Sequence, residues 1–142
     1  MNLWTHTFSL DNIADAAQLF LNEFSGARIF CFSGDLGSGK TTFIAALVKA
    51  FKSEDMVHSP TFSLVNEYLT IDGNRLYHFD FYRLKSDEEA FESGLMELID
   101  SGNLCFIEWP TRALSILPED FINVEMHVEG NNRKMIAKKL KE

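Results

Sequence analysis

The stretch from Ile29 to Phe51 leaves this chain few folds to choose from. It runs IFCFS, then GDLGSGKT, then TFIAALVKAF. Ile29 to Ser33 is apolar and partly aromatic, the character of a buried strand. Gly34 to Thr41 fits the pattern G-x-x-x-x-G-K-[ST] in full. Phe43, Ile44, Leu47, Val48 and Phe51 then recur at helical spacing. Strand, glycine-rich loop and helix in that order build a phosphate cradle. The glycines let backbone N–H groups turn inward without Cβ clashes, and the helix start adds unpaired N–H groups and a positive dipole end. Lys40 is placed to reach the β- and γ-phosphates, and the Thr41 hydroxyl to meet an accompanying Mg²⁺. Asp35, Gly37, Ser38, Gly39, Lys40, Thr41 and Thr42 are the expected nucleotide-contacting positions. The plainer alternative is a glycine-rich turn with an exposed lysine.

The rest of the composition narrows the class. The chain has 142 residues, which suits one domain spanning residues 1–142 around one core. Hydrophobic residues make up 46%, so a packed globule is expected. The thirteen Phe follow strand and helix spacing, which assigns most of them to the core. The formal net charge of −8 argues against a free-standing nucleic-acid binder, which needs a basic face. Lys138, Lys139 and Lys141 are the only cluster of basic residues and read as a solvated tail. Cys31 and Cys105 lie in apolar runs without CxxC spacing, which fits buried thiols in a reducing compartment. There is no leader-like start, and no apolar run nears the roughly 20 residues of a membrane span. A soluble, cytoplasmic protein is expected.

Along the chain, Thr5–Phe8 reads as a short strand, followed by a helix capped by Ser9 or Asp11 with a stripe through Ile13, Ala16, Ala17, Phe20, Leu21 and Phe24. After the P-loop helix, His58-Ser59-Pro60-Thr61-Phe62 is stiffened by Pro60. A hydroxyl on a stiff loop here fits a switch position near Mg²⁺ and the γ-phosphate, and an ordinary Ser-Pro-Thr turn fits as well. Phe62–Thr70 and Arg75–Phe81, joined by Asp72-Gly73-Asn74, predict an antiparallel hairpin added to an otherwise parallel sheet. Asp80, between aromatics, either pairs with Arg83 or stands near the metal and attacking water. Ser86 caps a helix that Gly94 breaks before Leu95–Ile99. Leu104 to Ile107 ends in Glu108, a carboxylate at the C-terminal end of a buried strand, where such folds place the metal-side acid. Trp109 is either a core aromatic or a contact beside the nucleotide. A short helix over Thr111–Leu117 and a closing hairpin, Phe121–Val128 with Lys134–Leu140, complete the chain. His6, His58, His78 and His127 have no metal-ligand spacing.

Four motifs thus occur in one order: GDLGSGKTT from Gly34, HSPTF from His58, YHFDFYRL from Tyr77 and IEWP from Ile107. The combination resembles the TsaE family (older name YjeE), small bacterial ATPases of tRNA threonylcarbamoyladenosine biosynthesis, over about residues 5 to 128. Ser38 stands where that family usually has Ala, and Phe62 and Phe81 where Tyr and Leu are common. The closing hairpin is weakly matched. The resemblance implies an α/β P-loop NTPase domain with a mixed parallel and antiparallel central sheet flanked by helices. It implies that Lys40 and the loop amides hold ATP, that Thr41 and Glu108 hold Mg²⁺, that Thr61 and Asp80 are switch-side residues, and that Trp109 lies near the nucleotide. It places the base near Ser9–Asp11. It implies TsaD and TsaB as partners, with tRNA reached only through them, and ATP hydrolysis that resets that pair.

Other classes use the same cradle. A small-molecule kinase needs an arginine-rich lid, whereas Arg28, Arg75, Arg83, Arg112 and Arg133 are scattered. A GTPase needs an Asn-Lys-x-Asp motif, which the chain lacks. A scaffold that binds nucleotide without turnover stays open, since no arginine finger or evident base is visible.

Overall fold

The structure, a computed structural model, describes residues 3–53, 55–57, 60 and 64–140. Seven strands form one sheet in the order β1-β7-β6-β2-β5-β4-β3. They are β1 (Trp4–Phe8), β2 (Ile29–Ser33), β3 (Val65–Leu69), β4 (Arg75–Asp80), β5 (Leu104–Glu108), β6 (Phe121–Glu129) and β7 (Asn132–Leu140). β2 lies parallel between β5 and β6, and β4 lies parallel to β5. The β3–β4 and β6–β7 hairpins and the β1–β7 pair are antiparallel, so the sheet is mixed, as expected. The predicted β3–β4 hairpin forms one end of the sheet, with β4 carrying the parallel pairing.

The alternation of side chains along β2 explains the two packed layers. Phe30 and Phe32 face α1 (Ile13–Glu23) and α2 (Lys40–Ala50), where Phe20, Phe43, Ile44 and Leu47 close the larger core. Ile29 and Cys31 face the opposite side, covered by α3 (Asp87–Glu92), α4 (Leu95–Ile99) and the 3-10 segment Pro110–Ile116. Phenylalanine carries much of the first layer: the Phe20 ring meets those of Phe30, Phe32 and Phe43 at centroid distances of 5.5, 6.3 and 5.5 Å. Contacts of this kind add to the area each ring buries. Both cysteines are free and buried, and burial raises both thiols, that of Cys105 to about 12. No helix among the described residues is long and apolar enough to cross a membrane.

Three local details differ from the sequence reading. Ser9 starts a 3-10 turn, Leu10–Asn12, and Asn12 occupies the N-cap position of α1. The Asn12 side chain is drawn back to accept the Ser9 N–H at 2.8 Å, so neither Ser9 nor Asp11 caps the α-helix itself. The short helix expected after Pro110 is 3-10 in character and broken at Ala113. The His58–Phe62 stretch, including Thr61 but not Pro60, lies outside the described residues.

Candidate functional site

The C-terminal ends of β2, β5 and β4 open onto one cavity of about 360 Å³, in the range of small-ligand sites. Gly37, Gly39, Lys40, Thr41 and Thr42 line its floor, and Asp80, Glu108 and Trp109 line one wall. The opposite wall comes from Phe8, Leu10 and Ile13, and from Asn131 and Arg133 at the β6–β7 turn. Leu10 lies in the Ser9–Asp11 segment where the resemblance places the base. Asn131 and Arg133 belong to the hairpin that the sequence reading left free to vary. Their place at the cavity depends on a nine-residue strand register that no local motif encodes.

The loop is shaped by its glycines. Gly34, Gly37 and Gly39 have φ of 154°, 79° and 100°. At Gly34 space is also closed, because a Cβ there would stand 2.7 Å from both the Met126 carbonyl oxygen and Ser38 Oγ. At Gly39 an added Cβ would only touch the Arg133 side chain, Nε at 3.5 Å, so the positive φ rather than space calls for glycine. Lys40, only 5% exposed, donates to the carbonyls of Gly34 (2.6 Å) and Asp35 (3.1 Å). Its ammonium also stands 4.5 Å from the centre of the Trp109 ring. Burial lowers the Lys40 pKa, and the carboxylates of Glu108, Asp80 and Asp35 work against that shift. Anionic phosphates entering the cavity favour the charged ammonium further. Asp35 itself is exposed and takes part through its backbone carbonyl, which also accepts the Ser38 N–H at 3.0 Å.

Ser38 faces inward. Its hydroxyl is buried and has no hydrogen-bond partner among the described residues. A buried hydroxyl in that state costs about 1–3 kcal/mol. Ser38→Ala is therefore expected to raise the melting temperature by about 3 °C and leave nucleotide affinity unchanged. A thermal melt paired with a nucleotide titration checks this, and a lower melting temperature would contradict it.

β4 and β5 supply the acids. Asp80 and Glu108 are cross-strand partners on the α2 face of the sheet. The Thr41 hydroxyl, at the start of α2, donates to Glu108 Oε2 at 2.8 Å. The Asp80 carboxylate accepts the Tyr82 N–H at 3.0 Å, and no ion pair with Arg83 is formed among the described residues. Burial raises the Asp80 pKa, while the Tyr82 N–H is the largest influence pulling it back. Trp109 sits in left-handed backbone (φ 58°, ψ 53°) directly after β5. It is half-buried against Tyr82, ring centroids 4.9 Å apart, and the Arg112 guanidinium lies 5.5 Å from the centre of the Tyr82 ring.

A hydroxyl and a carboxylate in contact, with a second carboxylate in register, are hard oxygen donors that fit Mg²⁺. No group of three or more His, Cys, Asp or Glu suited to a metal occurs among the described residues. A divalent cation here would complete its shell with phosphate oxygens and water, as Mg²⁺ commonly does. The sequence reading missed His78. It is fully buried, and its Nε2 lies 2.7 Å from Glu108 Oε2. The one available signal was its period-two spacing from Asp80, on the same strand face.

Comparison with known proteins identifies the family and the fold. A family model described as "Threonylcarbamoyl adenosine biosynthesis protein TsaE" matches residues 7–136. The tRNA threonylcarbamoyladenosine biosynthesis protein TsaE of Haemophilus influenzae is 37% identical over 107 residues, covering 74% of this chain and 67% of that protein. The protein of the same name from Rickettsia bellii is 36% identical over 136 residues, covering 95% of this chain and 93% of its own. The crystal structure of YdiB from Bacillus subtilis superposes with a TM-score of 0.73 at 22% identity, covering 99% of this chain and 87% of that one. That likeness concerns the fold.

Proposed function

The chain belongs to the TsaE family, the threonylcarbamoyl adenosine biosynthesis proteins, and on that premise we propose that it is a Mg²⁺-dependent ATPase serving threonylcarbamoyladenosine modification of tRNA. The observation that carries the reading is the 2.8 Å contact between Thr41 and Glu108 in the lining of a P-loop cavity. It joins the helix that follows the phosphate loop to the strand that ends in an acid, the pairing that ATP with its cation requires. The whole chain, residues 1–142, acts as one nucleotide-binding domain in the cytoplasm, where its two buried thiols stay reduced.

In this reading the loop amides and Lys40 hold the β- and γ-phosphates. Mg²⁺ supplies charge neutralisation on the phosphate oxygens. Thr41 and Glu108 hold the cation's side of the cavity, and Asp80 orients the attacking water. A carboxyl whose pKa is raised by burial is better matched to accepting a proton near neutral pH than an ordinary one. Thr61 serves as a switch-side residue. Trp109 exchanges its contact with Lys40 for one with the nucleotide. The adenine lies toward Leu10 and Ile13.

The partners are TsaD and TsaB. The acidic chain, −8 overall, is poorly suited to hold tRNA and reaches it through them. Hydrolysis resets that pair between turnovers. The test is phosphate release by the full chain alone and with its own organism's TsaB and TsaD. A rise on adding the partners supports the reading. Full activity without them, or phosphate passed to a small acceptor, would overturn it in favour of a self-sufficient ATPase or a kinase.

A further inference from the structure

The wall behind Glu108 is polar, which a strand interior seldom is. On β4, Leu76, His78 and Asp80 share the face that β5 turns toward α2 with Phe106 and Glu108. His78 therefore stands diagonally behind Glu108, one pleat deeper than Asp80. It is 0% exposed, and its Nε2 to Glu108 Oε2 distance of 2.7 Å is short for a nitrogen–oxygen contact. On the other side of the ring, Nδ1 lies 3.4 Å from the Tyr68 hydroxyl of β3. That hydroxyl oxygen in turn accepts from Asn66 Nδ2 at 3.2 Å. The arrangement is satisfied when Tyr68 donates to Nδ1 and Nε2 carries its proton to the carboxylate.

We propose that His78 is a positioning residue for the metal-side acid: it holds Glu108 so that the carboxylate presents one oxygen to the cation. Both hydrogen bonds to Glu108, from Thr41 and from His78, converge on Oε2. Oε1 is left for the cavity that Glu108 lines. Glu108 has several side-chain torsions to be set, and the single hydrogen bond from Thr41 does not set them all. Thr41 would itself be a ligand of the cation, so its hydroxyl would be shared with the metal, whereas His78 lies behind the carboxylate and outside the cavity lining. A partner that orients an acid from behind is worth about 10–100-fold in metal affinity.

This inference rests on the assignment of Glu108 to the metal, so its test must separate the two. The probes are ADP and Mn²⁺, with Mn²⁺ binding followed by electron paramagnetic resonance and ADP binding measured with and without divalent cation. His78→Gln can place an N–H where Nε2 stood, facing Glu108. His78→Asn can place one only where Nδ1 stood, facing Tyr68. His78→Leu has neither. For the ternary complex, the Leu and Asn proteins are expected to bind Mn²⁺ about 10–100-fold more weakly than the wild type, and the Gln protein within about threefold of it. Metal-free ADP binding is expected to be the same in all four. A merely structural histidine gives a different pattern: Gln and Asn impaired alike, or all variants melting early with unchanged Mn²⁺ affinity when folded. Either result overturns the proposal. If the wild type itself binds ADP without regard to divalent cation, the assignment of Glu108 falls, and the role of His78 with it. Should the Leu protein not fold, the Gln–Asn comparison decides alone.

Discussion

Lys40→Ala protein is expected to fold and to lose nucleoside triphosphate affinity by a factor of a hundred or more. The Lys40 ammonium is the cation set among the backbone carbonyls of Gly34 and Asp35, within the loop that is to receive the phosphates. Each charge-assisted hydrogen bond to a phosphate oxygen is worth about 1.5–3 kcal/mol. Two of them therefore account for roughly 3–6 kcal/mol, or about two to four powers of ten in the dissociation constant. The cost to the fold is small. Burial already disfavours the charged ammonium, so its removal relieves a desolvation penalty while freeing two carbonyls beside an open cavity. Lys40→Met keeps the apolar stem and is expected to melt at or above the wild-type temperature. Calorimetric titration with a non-hydrolysable ATP analogue, paired with thermal melts, checks both parts. A dissociation constant within about threefold of wild type would remove Lys40 from the phosphate site.

Glu108→Gln is expected to lower hydrolysis by about two orders of magnitude, the ~2.7 kcal/mol scale of losing one charge-stabilising group. Nucleotide binding without metal should hardly change. Glutamine keeps an acceptor for the Thr41 hydroxyl or the His78 ring, so the wall of the cavity stays satisfied. Glu108→Ala should behave differently. It strands the Nε2 side of a fully buried imidazole, which costs about 1–3 kcal/mol of stability. The pair of variants therefore separates chemistry from folding. Hydrolysis at varied Mg²⁺, measured with partners present, is the check. An unchanged rate in the Gln protein would mean that the carboxylate's charge is not used.

The elements that could be read in the sequence were those whose chemistry is local. The P-loop announces itself in eight consecutive residues, Gly34 to Thr41, because a phosphate cradle is built from consecutive amides. Glu108 was legible because an acid closing an apolar strand has few structural uses. The hairpin through Gly73 followed from turn chemistry alone. What escaped depended on pairing across the sheet. His78 sits 30 residues before Glu108, and only the β4–β5 register brings them together. A lone histidine in a strand reads as core. Arg133 and Asn131 reach the cavity because β7 returns along β6 in full register, which no short window of sequence encodes. Asp80 was read as either a partner of Arg83 or a site residue. The structure puts it at the cavity wall, beside Glu108. The start of α1 shifted because Asn12 bonds backward to Ser9, a local choice between two competing hydrogen bonds.

The strand order β2-β5-β4 also works as a ruler. The phosphate loop, Glu108 and Asp80 hang from the same ends of three successive parallel strands. Adjacent strands are spaced about 4.8 Å apart by their hydrogen bonds. The backbone positions of Glu108 and Asp80 are thus one and two intervals from the loop, roughly 5 and 10 Å. Loops can lengthen, and lids can open and shut, without altering those graduations. A change in calibration requires a strand to slip. Because side chains alternate, a slip of β5 by one residue would turn Glu108 to the other face, away from His78 on β4.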